Sequence, residues 1–245
     1  MNIFIGETVG TMLLVLLGDG VVANVSLAKS KGENSGWIVI AAGWGFAVAV
    51  AVYVCGCAGK GHINPAVTIG MAAVGNVPWA EVPTYLAAQF LGGFLGAVLV
   101  WLAYLPHWPQ TPDPGTKLGV FCTRPAIRNW RGNLISEIIG TAVLLIGVLG
   151  IVDNNIELTS GVGPYAVGIL VFSIGLSLGG PTGYAINPAR DLSPRLAHAL
   201  LPIAGKGDSD WRYAWIPIVG PLLGGVIGAV AYTALFAGIV PVAMP

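Results

Sequence analysis

The chain has 245 residues, of which 55% are hydrophobic and only 9% are charged, and its formal net charge is zero. Soluble domains carry about 25% charged residues, so this deficit indicates that most of the surface does not face water. The neutral balance, with no basic cluster, argues against a nucleic-acid partner.

Long stretches of the chain contain no charged residue at all. A bilayer core needs roughly 20 apolar residues of helix to cross it, and each stretch is long enough. Because backbone groups in lipid must satisfy their own hydrogen bonds, such lengths predict helices rather than barrel strands. The charge-free ranges are 34–59, 82–112, 158–189 and 213–245.

The apolar pattern predicts an all-α membrane protein with six transmembrane helices. The first is interpreted as a retained helix rather than a signal peptide, because it lacks a basic start and Glu7 interrupts its apolar run. In chain order the predicted spans are about 3–27, 36–57, 82–104, 133–152, 162–180 and 213–238.

Two shorter apolar segments remain, at 61–75 and 184–200, each with a proline near its start. A helix of about 12 residues rises roughly 18 Å, which is about half a membrane. We therefore predict two re-entrant half-helices. Non-helical backbone at that depth is tolerated only where it is buried or lines a wet cavity.

The two halves of the chain repeat the same order of motifs. The run 7–11 (Glu-Thr-Val-Gly-Thr) is similar to 137–141 (Glu-Ile-Ile-Gly-Thr), and 61–66 is similar to 184–189, since both end in Ile-Asn-Pro-Ala. Three spans per half is an odd number, so the second half must be inverted in the membrane. The chain is thus predicted to be a single transmembrane domain, 1–245, with inverted repeats at about 1–110 and 131–245 and a site near the midplane.

These features together resemble the major intrinsic protein family, the aquaporins and aquaglyceroporins, over essentially the whole chain. The second motif reads Asn-Pro-Ala-Arg-Asp at 187–191, with Arg195 four residues after Asp191, and Pro217-Ile218 lies in the last span. All three features are similar to the glycerol branch rather than the water branch.

The resemblance implies a passive channel rather than an enzyme. It implies that glycerol, other polyols and water pass, with urea and undissociated hydroxy acids such as lactic acid as further candidate solutes, while ions and protons are excluded. It also implies a homotetramer in the plasma membrane, embedded in the lipid bilayer as a multi-pass protein with cytoplasmic termini. No metal or cofactor is expected, because no metal-ligand set, nucleophile–base pair or cofactor motif is present.

The two Asn-Pro-Ala motifs suit helix starts that meet at the midplane. Proline fits a first helical turn, and asparagine caps one. Two meeting N-termini place positive dipole ends together, which repel cations, while the asparagine amides can donate to a permeating oxygen. The alternative is that each asparagine is only a cap. The motif residues are Asn64, Pro65, Ala66, Asn187, Pro188 and Ala189.

By resemblance, backbone carbonyls of the loops before these motifs line the pore. Two alternatives remain for His62: its side chain either faces the pore or is a buried structural histidine. The carbonyls belong to Lys60, Gly61, His62 and Ile63 in the first half and to Gly183, Tyr184, Ala185 and Ile186 in the second.

Glu7 and Glu137 are ionisable groups inside predicted spans, where charge is costly. We expect each carboxylate to accept N–H groups of a re-entrant loop and fix it, because the two glutamates are paired across the repeat as the loops are. The alternative is a proton relay or ion site. The resemblance groups Asp191 with them as a loop-supporting residue.

The selectivity filter implied by the resemblance consists of Trp44, Gly175, Tyr184 and Arg190. Arginine supplies fixed donors for hydroxyl oxygens, and two aromatic faces suit a carbon backbone. Gly175 stands where water-selective relatives carry His, and so is expected to leave room for a carbon chain; the alternative is close helix packing. Tyr184 stands where glycerol channels usually carry Phe, and we expect its hydroxyl to shift preference toward more oxygenated neutral solutes, including undissociated small hydroxy acids; the alternative is that it points away without effect.

The alternatives to a glycerol channel are a water-selective pore, which Gly175 and Asp191 oppose, and a coupled ion transporter. The basic residues disagree with cytoplasmic termini. With the N-terminus inside, every Lys and Arg except Lys60 lies in an external connection or the external re-entrant loop, whereas the positive-inside rule predicts the opposite.

Overall fold

The computed structural model of the protein describes residues 2–56, 61–153 and 161–236. Within these ranges the secondary structure is helical and contains no strand, so the prediction of an all-α protein is confirmed. The helices are α1 (Ile3–Ser26), α2 (Trp37–Gly56), α3 (Pro65–Ala73), α4 (Val82–Ala103), a 3₁₀ helix (Trp108–Gln110), α5 (Pro114–Phe121), α6 (Trp130–Asp153), α7 (Val162–Leu178), α8 (Pro188–Leu200) and α9 (Ile216–Phe236).

Six of these helices coincide with the six predicted spans to within a few residues. Five, namely α1, α2, α4, α6 and α9, are long and apolar enough to cross a membrane. The sixth, α7, has 17 residues, which is the lower end of the length that spans a hydrocarbon core. Large apolar side chains remain exposed on the outer faces, as lipid contact requires; examples are Phe46, Leu91, Ile139 and Leu223.

Helix packing follows one pattern in both halves of the chain. In the first half α1 packs against α2 and α4, and in the second half α6 packs against α7 and α9. The halves meet where α2 contacts α7, and each half-helix lies against the last span of the other half: α3 against α9, and α8 against α4. The re-entrant segments are therefore enclosed between the halves, which places their starts in the protein interior.

Glycines permit close approaches at these helix contacts, as two examples show. A Cβ atom at Gly92 would lie 2.3 Å from the Thr8 carbonyl oxygen, and one at Gly225 would lie 2.6 Å from the Ala66 carbonyl oxygen. Real Cβ atoms do not come so near to backbone, so only glycine allows α4 to touch α1 and α9 to touch α3 at these points. Small residues at helix contacts serve this purpose in membrane proteins.

The helix α5 was not predicted from the sequence, because at 8 residues it is too short for a span. The signal for it is the Asp113-Pro114 pair, which is typical of a helix start. The Asp113 side chain accepts from the backbone of Gly115 and Thr116 and from the Thr116 hydroxyl. The hydroxyl bond and the two backbone bonds hold the pKa of Asp113 below its ordinary value. Helix α5 packs on α1 and α8 and thereby closes over the second half-helix.

Candidate functional site

Two cavities meet inside the helical bundle. The larger, here called the central cavity, has a volume of about 800 Å³, and the smaller, called the vestibule, has about 570 Å³. Three side chains line both: Trp44, Tyr184 and Arg190. The structure thus brings three of the four predicted filter residues to the boundary between the two cavities.

Most other predicted pore residues also line a cavity. Gly183 lines the vestibule. Lys60 lies outside the described residues. The prolines and alanines of the two motifs are buried in the first turns of α3 and α8 rather than exposed to a cavity. The predicted pore residues that line the central cavity are Gly61, His62, Ile63, Asn64, Ala185, Ile186 and Asn187.

The two motif asparagines cap the half-helices and also reach across to the opposite half. Asn64 Oδ1 accepts from Ala66 N at 2.8 Å, and Asn187 Oδ1 accepts from Ala189 N at 3.0 Å. Each side-chain amide donates to the loop of the other half, Asn64 Nδ2 to the Ile186 carbonyl and Asn187 Nδ2 to the Ile63 carbonyl, both at 2.8 Å. The N-termini of α3 and α8 therefore face each other.

The hydrogen bonds between the two halves determine how many amide N–H groups of the motif asparagines remain for a solute. A primary amide carries two N–H donors, and one from each asparagine is bound to a backbone carbonyl. Each asparagine keeps one N–H for a solute in the central cavity, and the carbonyls of Ile63 and Ile186 already accept one bond each. The half-helix starts are thus fixed by the protein before any solute arrives.

The loops before the motifs hold a strained backbone. Ile63 and Ile186 have φ values of 47° and 43°, a left-handed conformation that a β-branched residue rarely adopts. Such residues cost about 1–3 kcal/mol each and persist only where the surroundings hold them. Each strained residue directly precedes a capping asparagine, and its carbonyl accepts the hydrogen bond from the asparagine of the opposite half.

The carboxylates of Glu7 and Glu137 hold these two loops. Glu7 accepts from His62 N at 2.8 Å and from Ile63 N at 2.7 Å. Glu137 accepts from Ala185 N at 3.0 Å and from Ile186 N at 2.9 Å. Both glutamates are buried, so the four N–H groups find in them the acceptors that lipid cannot supply.

The first half adds a polar cluster that sequence reasoning did not find. Gln89 Nε2 donates to Glu7 Oε2 at 2.8 Å and to Thr68 Oγ1 at 3.0 Å. Thr68 Oγ1 also lies 3.1 Å from Nδ1 of His62, whose ring stacks on Tyr85 with centroids 4.7 Å apart. His62 thus combines both sequence alternatives, because it lines the central cavity while its ring is held by buried neighbours.

Arg190 lies over the ring of Trp44, with its guanidinium carbon 3.9 Å from the ring centroid. Its Nη1 also lies 3.3 Å from Oδ1 of Asp19, a fully buried residue of α1. Asp19 was missed in the sequence analysis, although a second carboxylate in an apolar span is as costly as Glu7 and is itself a signal. The guanidinium is therefore fixed by an aromatic face and by a carboxylate.

Gly175 differs from its expected role. A Cβ atom there would lie 2.8 Å from both the Cζ and the hydroxyl oxygen of Tyr184. The room that glycine leaves is filled by the phenol ring, and Gly175 lines neither cavity. The Tyr184 hydroxyl is buried there and has no hydrogen-bond partner among the described residues. Gly175 therefore shapes the passage indirectly, by accommodating Tyr184.

Asp191 supports the loop that precedes α6, as well as its own helix. Its Oδ2 accepts from Thr123 N at 2.8 Å and from Thr123 Oγ1 at 2.6 Å. Its Oδ1 accepts from Nε and Nη2 of Arg195 at 2.9 and 2.8 Å. Arg195 is fully buried and donates further to the carbonyls of Ser209 and Thr123. This network ties α8 to the loop between α5 and α6 and to the loop between α8 and α9.

The sequence led us to expect an effect of the Tyr184 hydroxyl on selectivity, but the hydroxyl faces Gly175 rather than a cavity. We therefore now expect Tyr184→Phe to leave selectivity almost unchanged. The ratio of glycerol to lactic acid permeability at low pH should stay within about twofold of the wild-type ratio. Measurement is by solute-driven swelling of proteoliposomes. A larger change would show that the hydroxyl reaches the solute.

Comparisons with known proteins agree with this architecture. The family model described as "Major intrinsic protein" matches residues 1–232. The probable glycerol uptake facilitator protein of Thermotoga maritima is 63% identical over 96% of this chain and all of that protein. The glycerol uptake facilitator protein of Bacillus subtilis is 56% identical over 97% of this chain and 86% of that protein.

A more distant relative and a solved structure extend the comparison. The D/L-lactic acid transporter of Lactiplantibacillus plantarum is 41% identical over 92% of this chain and 94% of that protein. The X-ray structure of the aquaglyceroporin from Plasmodium falciparum superposes with a TM-score of 0.86 at 31% identity, covering 98% of each chain. With the half-helices, the paired motifs and these matches in agreement, the chain belongs to the major intrinsic protein family, as its sequence predicted.

Proposed function

We propose that this protein is a passive membrane channel for glycerol and other small uncharged solutes. The observation that carries the proposal is the meeting of the central cavity and the vestibule at Trp44, Tyr184 and Arg190. A relative that is 56% identical is described as a glycerol uptake facilitator protein and one that is 63% identical as a probable one, which supports the same solute.

In this proposal the filter recognises the two-sided chemistry of a polyol. Arg190 donates to hydroxyl oxygens, while the rings of Trp44 and Tyr184 contact the carbon backbone. Gly175 acts by leaving space for the Tyr184 ring, which would otherwise be displaced towards the passage. Backbone carbonyls around residues 61–63 and 183–186 then accept from the hydroxyl groups as the solute passes.

Exclusion of ions and protons is proposed to arise at the two asparagines. The facing N-termini of α3 and α8 each contribute roughly half a positive charge to the central cavity. The remaining N–H of Asn64 and of Asn187 are both donors, so a water chain that accepts from both cannot relay a proton through that point. A neutral hydroxyl compound meets neither barrier.

The competing class, a coupled ion transporter, needs free ionisable groups on the pathway. Glu7 and Glu137 do not line either cavity, and each accepts two backbone N–H groups. Their geometry supports a loop-holding role instead. Water, urea and undissociated hydroxy acids such as lactic acid are further proposed solutes, the last because one relative is described as a lactic acid transporter.

We further propose that the chain forms a homotetramer in the plasma membrane, as one domain of two inverted halves with cytoplasmic termini. Two of the basic residues that oppose this orientation make hydrogen bonds or ion pairs within the fold. Lys117 Nζ donates to the Ala204 carbonyl at 2.5 Å, and Arg128 pairs with Asp210 at 2.5 Å. Contacts of this kind are the same in either orientation of the protein, so the cytoplasmic termini are proposed from the family resemblance and not from these residues. Protease cleavage within 117–131 in intact cells tests this orientation, and protection of that loop would reverse it.

Stopped-flow light scattering on proteoliposomes tests the channel function. Vesicles shrunk by a glycerol gradient should re-swell quickly, whereas an impermeant osmolyte should give shrinkage alone. Glycerol flux should be independent of membrane potential and pH gradient, which separates a passive pore from a coupled transporter. Fast shrinkage without re-swelling in glycerol would instead identify a water-selective pore.

A further inference from the structure

Asp19 is a buried carboxylate in α1 that none of the proposed pore roles uses. Its side chain is completely inaccessible, and its Oδ1 lies 3.3 Å from Nη1 of Arg190. Its Oδ2 has no hydrogen-bond partner among the described residues. Asp19 lines neither cavity, so it lies behind the guanidinium rather than beside the solute. A carboxylate at this depth is costly and calls for a functional reason.

Among the described residues, two buried ion pairs lie near the constriction, Asp19 with Arg190 and Asp191 with Arg195. Asp191 is bound through Oδ1 by two nitrogens of Arg195 and through Oδ2 by Thr123. Both members of that pair are fully buried. The charge of Asp191 is thus matched by Arg195, and Asp19 is left as the counter-charge of Arg190.

We propose that Asp19 is the counter-ion of Arg190 and a specificity-determining residue of this pore. It cancels the positive charge at the constriction, so the exclusion of cations rests on the half-helix N-termini and not on the arginine. The inference rests on the proposed filter role of Arg190, but it concerns charge and not the identity of the solute.

Asp19 also fixes which guanidinium donors are free. Nη1 donates to Asp19 Oδ1, while the guanidinium carbon lies over the ring of Trp44. The N–H groups that do not point to the carboxylate are those offered to a solute oxygen. Asp19 therefore acts on the solute only through Arg190, as a positioning residue.

A set of three variants separates the charge of Asp19 from its packing. In Arg190→Val the carboxylate is left as the unpaired charge at the constriction, and a negative charge there attracts cations. The proton leak into proteoliposomes, followed with an enclosed pH dye, should rise at least about tenfold above wild type. In the double variant Asp19→Asn with Arg190→Val, the leak should fall at least about fivefold below that of Arg190→Val. Asp19→Asn alone should stay as proton-tight as wild type.

Two results would overturn the proposal: an Arg190→Val leak no higher than wild type, or a double variant as leaky as Arg190→Val. Because the double variant carries neither buried charge, it should assemble even if Asp19→Asn alone does not. The comparison of its proton leak with that of Arg190→Val then still tests the counter-ion role of Asp19. Water permeability of each vesicle preparation confirms that folded channel is present.

Thermal unfolding in detergent gives an independent test of the pair. Asp19→Asn should lower the unfolding temperature because it leaves a buried guanidinium without its counter-charge. Adding Arg190→Val should recover part of that loss, whereas simply additive losses would contradict the pairing. Glycerol flux through the wild-type channel is measured separately, so failure of the solute assignment and failure of the counter-ion can be told apart.

Discussion

Replacing Glu137 with Gln should reduce glycerol flux at least about tenfold and destabilise the protein. The carboxylate accepts from the backbone N–H of Ala185 and Ile186, and Ile186 is held in a left-handed conformation. An amide presents one oxygen and an NH2 group, so one of the two N–H groups then faces a donor. Losing a hydrogen bond to a charged acceptor, and leaving a buried N–H unpaired, costs about 3 kcal/mol.

The hydrogen bond is lost at Glu137, but the loss of glycerol flux arises in the pore. Without its acceptor the strained Ile186 backbone can relax, and the carbonyl that Asn64 binds moves with it. We expect the unfolding temperature in detergent to fall by about 5 °C or more. Glu81→Gln is the matched control, since Glu81 precedes α4 and its side chain makes no capping hydrogen bond. Wild-type flux in Glu137→Gln would refute the loop-holding role.

Gly175→Ala should reduce glycerol permeability about tenfold and water permeability by no more than about twofold. The added Cβ would lie 2.8 Å from the Tyr184 ring, closer than such atoms approach, so the ring must move. Overpacked sites yield by shifting side chains, and this ring borders both cavities. Displacement of the ring into the passage obstructs a carbon chain more than a water molecule.

The measurement is the ratio of glycerol to water permeability in one proteoliposome preparation. Gly20→Ala is the matched control, because a Cβ atom at Gly20, in α1, meets nothing within 4 Å. We expect that variant to keep the wild-type ratio. If Gly175→Ala also kept it, the ring would have another place to go, and the indirect role of Gly175 would be wrong.

The spans were predictable because charge-free apolar runs of this length have few alternatives in structure. The predicted span 82–104 corresponds to α4 (Val82–Ala103), and the predicted span 3–27 corresponds to α1 (Ile3–Ser26). The half-helices begin later than predicted, at Pro65 and Pro188, because the loop before each asparagine is extended or left-handed rather than helical. Helix α5 carries no apolar run of spanning length, so hydropathy alone does not reveal it.

The site was predictable where a residue is tied to a motif and unpredictable where it depends on a distant contact. Trp44, Tyr184 and Arg190, which were assigned by their spacing from the two motifs, all line both cavities. The Asp19–Arg190 pair joins positions 171 residues apart, which a single sequence does not indicate. That Tyr184 fills the space beside Gly175 likewise follows from side-chain packing, which residue type alone does not fix.

The position of bound glycerol tests the central claim most directly. In an experimental structure of the protein determined in glycerol, we expect a molecule at the boundary between the two cavities. Its hydroxyl oxygens should lie within hydrogen-bond distance of Arg190, and its carbons should lie against Trp44 and Tyr184. Glycerol found only on the lipid-facing surface, with both cavities holding water alone, would contradict the account.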